Sequence, residues 1–558
     1  MIINSLNLKD MNRYICLLIL IFSLSVNIKS QNLDNIESKV DELCTSWKDD
    51  TPGGVVGVIK DGELIFSKAY GMASLEYEIP NTLETKFNIA SVSKQITAYA
   101  IVLLQERGEL SVDDDVRDYI PELPAFDQPI TIRHLLTHTS GLRNFQNMLG
   151  MAGWRQGDPM TNDDLLHFIS KQKDLNFPVG EEYLYCNTGF VLATYIVERI
   201  TGQDFKDWTN ENIFDPLGMY DTDYREDMTR VHTRTATSYN QENSTTFSSP
   251  LEFYNYMGNG NIYTTIGDMA KWISHLGSGH QNISELTTQG ILNNGDTLTY
   301  ALGIGVGEYR GHRRWSHGGS IGGYRSNLQY YPDDGIGIVV ISNFNRGNPG
   351  NISIEIARYV LNIEEREASE STPEPKYPAL TDKIEQDISK FNKYSGAYYV
   401  QGVVVDVYSR EGVGYMYAKG ETPEFPVMAA SDTSYFNPLG GISIYFIENG
   451  ERMVINRNGS ILYGEKLKVN TDDFQQFVGT YYSPELDTRY TISIKDDKLV
   501  CHHQRHGSFN LYPLSSGVIK STLFAFADAT VVSWPNGEVQ GLKVSNGRVR
   551  NMWFRKEN

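Results

Sequence analysis

The spacing of apolar and polar positions in the first two-thirds of the chain predicts a sheet assembled from distant segments. Residues 54–73 contain two β-rich runs on either side of an Asp-Gly pair, which is typical of a tight hairpin. Residues 91–107 are apolar nearly all round and predict a buried helix. A second hairpin is predicted within residues 313–343, followed by a last helix at 352–361. This order predicts an α/β sandwich, in which an antiparallel sheet packs with a helical region.

The pattern changes after residue 363. Residues 364–378, EEREASESTPEPKYP, are acidic and carry almost no apolar side chains, so we predict a linker over 364–380. Residues 381–558 contain short alternating strands with frequent glycines, which is typical of an all-β, barrel-like region. Residues 391–400 and 474–483 share the pattern F-x-x-[YF]-x-G-x-Y-Y. These repeats predict two related β units, which form either one closed barrel or two small ones.

One apolar run lies near the N-terminus. Residues 14–26, YICLLILIFSLSV, follow Arg13 and precede a polar stretch. The run is too short to span a bilayer, and its flanks are typical of a secretory signal peptide, which we place at residues 1–30. The alternative is a buried helix. We therefore expect a secreted or periplasmic protein whose mature chain has no membrane span.

Charge and cysteine content narrow the possible partners. The formal net charge is −20 at pH 7, and no basic cluster suggests a nucleic-acid partner. Cys16 would leave with the signal peptide, and Cys44, Cys186 and Cys501 are far apart in the sequence. No C-x-x-C motif and no His/Cys cluster has the spacing of metal ligands, so we expect neither a disulfide framework nor a metal site.

Ser91 and Lys94 lie at the start of the predicted buried helix, in the sequence FNIASVSKQIT. A helix start offers unpaired backbone N–H groups that stabilise negative charge, and position i+3 lies on the same face. Burial would lower the pKa of Lys94 and make it available as a base. Ser170 and Lys173 repeat this spacing in a polar setting, and we interpret them as surface residues.

A second motif, Tyr185-Cys186-Asn187, precedes another predicted helix. A tyrosine beside a charged lysine should ionise more easily, so Tyr185 is a candidate general base. Asn187 can both donate a hydrogen bond to a substrate amide and accept one from it.

A third motif, His317-Gly318-Gly319, lies in the predicted strand before Ser320. The glycines would let a substrate backbone lie along the strand. The N–H groups of Ser320 and Ser91 are candidate donors to a tetrahedral oxyanion.

These three motifs, in this order, resemble the signature of the class C β-lactamase-like serine hydrolases. That family also includes D-aminopeptidases, D-Ala-D-Ala carboxypeptidases and family VIII esterases. Residues 130–142, ITIRHLLTHTSGL, and residues 258–272, GNGNIYTTIGDMAKW, resemble its scaffold segments. The resemblance covers roughly residues 40–361. It implies a β-lactamase/transpeptidase-like domain, which we place at residues 31–363.

The resemblance also implies a role for each matching residue. Ser91 would accept the acyl group and Lys94 would assist its deprotonation. Tyr185 would act as general base and then as acid for the leaving group, while Asn187 would orient the substrate. His317 replaces the lysine of the family's Lys-Thr-Gly motif, a departure that argues against β-lactamase activity.

We therefore predict an exported serine hydrolase that acts through an acyl-Ser91 intermediate on esters or on D-amino-acid and peptide amides, without a cofactor. The alternatives are a penicillin-binding or sensor-type protein with little turnover, a true β-lactamase, and an interaction protein that retains only the fold. Because the reference pKa of histidine is about 6.5, His317 should be mostly neutral and offer a substrate carboxylate only a weak clamp. Neutral substrates should then be preferred over β-lactams. We interpret His134 and His138 as structural.

Overall fold

The computed structural model describes residues 35–557, except for 156, 242–245, 252, 364–376, 419–421, 438–440, 458, 471–473 and 515–516. The predicted signal peptide and most of the predicted linker lie outside the described residues. Within the described part, no helix is both long and apolar enough to cross a membrane.

An antiparallel six-stranded sheet forms the framework of the N-terminal domain. Its strands, in spatial order, are Gly305–Tyr309, His312–Ile321, Tyr324–Tyr331, Ile336–Ser342, Gly54–Lys60 and Glu63–Tyr70. The second predicted hairpin is in fact three strands. An additional turn, which we did not predict, follows Ile321, and Gly322 adopts there the positive φ of 49° that glycine tolerates. The first and last parts of the domain thus meet at the centre of the sheet.

Helices cover both faces of this sheet. Val56 and Val58 contact a cluster that includes Ile36 and Ile352, whereas the side chain of Val55 faces the larger helical region. The helices of this domain are Ile36–Leu43, Lys94–Glu106, Ile132–Leu136, Phe145–Ala152, Asn162–Ile169, Thr188–Thr201, Phe205–Thr209, Ile266–Leu276, Gln281–Leu286 and Pro349–Val360. Its short strands are Met72–Ser74, Ile79–Pro80, Phe87–Asn88, Met160–Thr161, Asp223–Tyr224, Asn240–Gln241, Phe247–Ser248, Tyr254–Asn255 and Ile262–Thr264.

Two closed eight-stranded barrels follow, so the repeats correspond to two barrels rather than one. After a short helix, Ile388–Phe391, the first barrel has the strands Gly396–Val400, Val403–Arg410, Val413–Ala418, Thr422–Ala429, Ser434–Asn437, Ile442–Ile447, Arg452–Arg457 and Ser460–Lys466. The second has Gly479–Ser483, Thr488–Lys495, Lys498–His503, Gly507–Pro513, Val518–Ser521, Asp528–Ser533, Val539–Asn546 and Val549–Glu557. The predicted fold class is thereby confirmed.

The sequence repeat marks equivalent positions in the two barrels. Tyr398 and Tyr481 are both fully buried, and each hydroxyl donates a hydrogen bond to the carbonyl four residues earlier. The acceptors are Tyr394 in the first barrel, at 3.0 Å, and Phe477 in the second, at 2.9 Å. The shared tyrosine therefore satisfies its buried hydroxyl while its ring fills the barrel.

The second barrel packs directly on the N-terminal domain. Their apolar side chains form one continuous core, whereas the first barrel has a core of its own. A fully buried ion pair joins Arg143 Nη1 to Glu485 Oε2 at 2.5 Å across this interface. The hydroxyl of Tyr490 donates to the carbonyl of Met151 at 2.8 Å. The second barrel is thus a structural part of the domain that carries the candidate site.

Candidate active site

Ser91 and Lys94 meet where the sheet contacts the central helix. Ser91 lies in a 3-10 turn, Ala90–Ser93, so the α-helix begins at Lys94, three residues later than predicted. Lys94 is fully buried, and its Nζ donates hydrogen bonds to Ser91 Oγ at 3.1 Å and to the carbonyl of Asn259 at 2.7 Å. Burial holds the pKa of Lys94 well below its ordinary value. A neutral Lys94 amine can accept the proton of Ser91.

Tyr185 lines the same cleft as Ser91, and a hydrogen bond from the Ser91 hydroxyl would favour its ionised form. Its ring centroid is 4.9 Å from Lys94 Nζ. Burial raises the pKa of Tyr185 above its ordinary value, and neither the Ser91 hydrogen bond nor the charge of Arg548 offsets this effect. The expectation that Tyr185 ionises easily is therefore wrong for the resting site. With Tyr185 protonated, Lys94 is the candidate base, and the Tyr185 hydroxyl is the candidate proton donor to a leaving group.

Replacing Tyr185 with phenylalanine should lower kcat for ester substrates by about 10²–10⁴-fold, because a positioned acid–base group typically contributes that much. Steady-state kinetics would measure the loss. Tyr183→Phe is the matched control, since Tyr183 lies two residues earlier and is 41% exposed. Comparable losses in both variants would show that the effect comes from the packing of this loop rather than from proton transfer.

Asn187 is held by two neighbouring polar side chains that the sequence motifs did not indicate. Its backbone N–H donates to Asn144 Oδ1 at 2.8 Å, and its Nδ2 donates to Gln146 Oε1 at 2.5 Å. Its Oδ1 is buried and has no hydrogen-bond partner among the described residues. Asn187 also lines the cleft beside Ser91.

The third motif lies on a free stretch of sheet edge. Strand Gly305–Tyr309 reaches only as far as Ser316 along the neighbouring strand, so among the described residues no strand pairs with the backbone beyond Ser316 on that side. A Cβ atom at Gly319 would clash with the carbonyl oxygen of Ile89 and the hydroxyl of Ser326. Glycine at this position lets the strand lie against the turn that carries Ser91. Gly318, Gly319 and Ser320 line the same cleft as Ser91.

His317 is buried behind this edge as a neutral imidazole. Its Nδ1 is 2.7 Å from the carbonyl of Gly318, which can only accept, so Nδ1 carries the proton. Its Nε2 then accepts a hydrogen bond from the hydroxyl of Tyr300 at 2.8 Å. Burial, together with the nearby Lys94, lowers the pKa of His317 to about 3. His317 therefore stays neutral over the physiological pH range, in agreement with the sequence-based expectation.

The cleft is nevertheless cationic. It has a volume of about 930 Å³, and the described residues that line it include four arginines and no carboxylate. These arginines are Arg325, Arg346, Arg457 and Arg548. Arg457 comes from the first barrel and Arg548 from the second, outside every motif recognised in the sequence. The sequence-based expectation of a weak clamp on a substrate carboxylate considered His317 alone and did not include these arginines.

The remaining candidates make contacts that hold the structure. His134 caps the helix Ile132–Leu136 through Thr131. His138 is fully buried, with its ring 4.2 Å from the ring of Tyr185, and its Nδ1 accepts the backbone N–H of Cys186. Ser170 is exposed and donates only to the carbonyl of His167. Among the described residues, no group of three His, Cys, Asp or Glu side chains could hold a metal ion.

Known proteins share this architecture. A family model described as Beta-lactamase matches residues 33–360. A D-aminopeptidase of Brucella anthropi is 25% identical over 472 residues, which cover 83% of this chain and 85% of the relative. Penicillin-binding protein 4* of Bacillus subtilis strain 168 is 27% identical over 423 residues, covering 70% of this chain and 89% of the relative. The octameric penicillin-binding protein homologue from Pyrococcus abyssi superimposes with a TM-score of 0.52 at 24% identity, covering 77% of this chain and 99% of that one.

Proposed function

Because the chain belongs to the beta-lactamase family and is a serine hydrolase, we propose that it cleaves ester and amide bonds of D-amino acids and short peptides through an acyl-Ser91 intermediate. The observation that carries this proposal is the hydrogen bond from buried Lys94 to Ser91, with Tyr185 lining the same cleft. The preference for D-amino-acid substrates is supported by the relatives named D-aminopeptidase.

The geometry supports a two-step reaction. In the first step Ser91 Oγ attacks the substrate carbonyl and passes its proton to neutral Lys94, while Tyr185 gives its proton to the leaving oxygen or nitrogen. The proton on Lys94 then restores the Tyr185 hydroxyl. In the second step a water molecule attacks the acyl carbon and gives a proton to Lys94, and Lys94 returns that proton to Ser91 Oγ as the serine leaves. No step requires a charged His317.

Export is part of the proposal and is supported by the apolar run at residues 14–26, with Arg13 before it. Such a location would give the enzyme access to peptides outside the cytoplasm. Fractionating cells that produce the full chain, followed by N-terminal sequencing of the mature protein, would test it. Recovery of the uncleaved chain in the cytoplasm would contradict export.

The reaction can be tested with two neutral substrates, the phenyl esters of N-acetyl-D-alanine and N-acetyl-L-alanine. We expect faster turnover of the D ester, and rapid acid quenching should trap an acetyl-alanyl mass on the peptide that contains Ser91. Equal rates for the two isomers would remove the preference for D substrates. An acyl mass on another peptide would remove the proposed nucleophile.

A further inference from the structure

The second barrel sends one hairpin into the candidate active site. Its strands Val539–Asn546 and Val549–Glu557 are joined by Gly547 and Arg548, and Arg548 lines the cleft beside Tyr185. Arg548 lies 457 positions after Ser91 in the chain, so this contact exists only because the barrel docks on the N-terminal domain.

The backbone of this hairpin tip is fixed on the N-terminal domain. The carbonyl of Arg548 accepts hydrogen bonds from Asn144 N at 3.2 Å and from Asn176 Nδ2 at 3.0 Å. Two residues later, the N–H of Arg550 donates to Asn176 Oδ1 at 2.7 Å. Asn144 is also the residue whose side chain accepts the backbone N–H of Asn187. The backbone of Arg548 is therefore held by the same network that holds Asn187, and a fixed backbone is one requirement of a preorganised binding group.

The guanidinium of Arg548 faces the ring of Tyr185, with its central carbon 4.8 Å from the ring centroid. The side chain is half-buried and, within the described part of the chain, makes no ion pair or hydrogen bond. Because no described acceptor uses the N–H groups of this guanidinium, they are available in the planar arrangement that matches a carboxylate. The charge of Arg548 also contributes to the lowered pKa of Lys94. Arg548 therefore lies close enough to the candidate reacting groups to influence them.

The charge of the cleft contrasts with that of the whole protein. The chain has a formal net charge of −20, yet the described residues around the cleft include arginines and no carboxylate. Arg346 and Arg457 are both exposed at this cleft, whereas the guanidinium of Arg325 is bonded to the carbonyls of Gly322 and Tyr324. A cationic cleft in an acidic surface attracts anionic ligands.

We propose that Arg548 is a specificity-determining residue that binds a carboxylate on the leaving group of the substrate. This inference rests on the proposed acyl-Ser91 chemistry and adds the charge of the substrate to it. We place this carboxylate on the leaving group because the Arg548 guanidinium lies over the ring of Tyr185, and Tyr185 is the proposed proton donor to the leaving group. The second barrel thus supplies a part of the substrate site that the N-terminal domain lacks.

A pair of matched esters tests this proposal. The 3-carboxyphenyl and phenyl esters of N-acetyl-D-alanine differ only by a carboxylate on the leaving group, and their spontaneous hydrolysis corrects for intrinsic reactivity. For the wild-type protein we expect kcat/KM to favour the 3-carboxyphenyl ester. In Arg548→Met this ratio should fall by about 10–100-fold, the effect of losing one charge-assisted hydrogen-bonded pair. Arg548→Lys keeps the positive charge but lacks the planar pair of N–H donors, so it should retain more of the preference for the 3-carboxyphenyl ester than Arg548→Met does.

Three controls make the outcome decisive. Arg550→Met removes a nearby cation that pairs with Glu182 instead, and it should leave the ratio unchanged. In the wild-type protein, added salt should screen the charge and reduce the ratio of kcat/KM between the two esters. This measurement does not depend on the folding of any variant. N-succinyl-D-alanine phenyl ester carries the carboxylate on the acyl side, and a larger gain there would overturn the leaving-group assignment.

The two proposals fail in different ways. If the phenyl ester is not hydrolysed at all, the acyl-Ser91 function is wrong. If the phenyl ester is hydrolysed but the wild-type ratio is one, or does not respond to Arg548→Met, only the carboxylate assignment is wrong.

Discussion

Replacing Ser91 with alanine is expected to lower kcat for the phenyl ester of N-acetyl-D-alanine by about 10⁶-fold, the scale of loss found when a serine that acts as a unit with its base is removed. The reason is geometric. The variant has no oxygen that Lys94 can deprotonate and Tyr185 can hydrogen-bond, so the acyl-enzyme cannot form. The remaining rate would come from substrate binding and the oxyanion donors. Steady-state kinetics on the folded variant would measure it.

Ser170→Ala is the matched control, because Ser170 has the same i+3 lysine spacing but is exposed and lies outside the cleft. It should keep wild-type activity. A fluorophosphonate probe should add one equivalent of mass to the wild-type protein and to Ser170→Ala, and none to Ser91→Ala. Labelling that survives Ser91→Ala would identify a different nucleophile.

The largest effect on stability is expected at the ion pair between Arg143 and Glu485. Both side chains are essentially inaccessible to solvent, at 0% and 1% exposure. Removing one partner leaves the other charge buried and unpaired, so Arg143→Met should lower the free energy of unfolding by about 3–5 kcal/mol. Urea denaturation of the full chain, followed by circular dichroism, would measure the change.

Two further variants separate burial from charge. Arg550→Met breaks an exposed ion pair with Glu182 at the same interface and should cost about 1 kcal/mol or less. The double variant Arg143→Met/Glu485→Leu removes both buried charges and should regain much of the stability lost by Arg143→Met alone. If Arg143→Met and Arg550→Met are equally stable, the buried pair contributes little to docking of the barrel.

The sequence predicted the parts of the fold that local pattern determines. The hairpin at residues 54–73 was visible because Asp61 and Gly62 both adopt positive φ, at 49° and 84°, and these residue types tolerate that conformation. The central helix was visible because it is buried on nearly all sides. The repeat at residues 391–400 and 474–483 indicated two related units, and only the structure showed that each one closes separately.

The candidate site was predictable where its groups lie within short motifs. Lys94 is one helical turn from Ser91, and Gly319 must lack a side chain because the strand lies against Ile89. Arg457 and Arg548 could not be predicted, because their position depends on how two barrels pack and no local pattern records it. The state of Tyr185 was also missed, since its pKa depends on burial that the sequence motif does not specify.

The continuous core between the N-terminal domain and the second barrel has a consequence for biosynthesis. The ribosome completes the helix Phe145–Ala152 long before it makes the turn Phe524–Phe526, which packs against that helix. Until then, Arg143 has no Glu485 to pair with, and apolar side chains such as Met148 lack part of their final cover. A newly made N-terminal domain is therefore a candidate client for chaperones that hold incomplete folds. The arginine-bearing cleft is assembled only when the last barrel strand has been added.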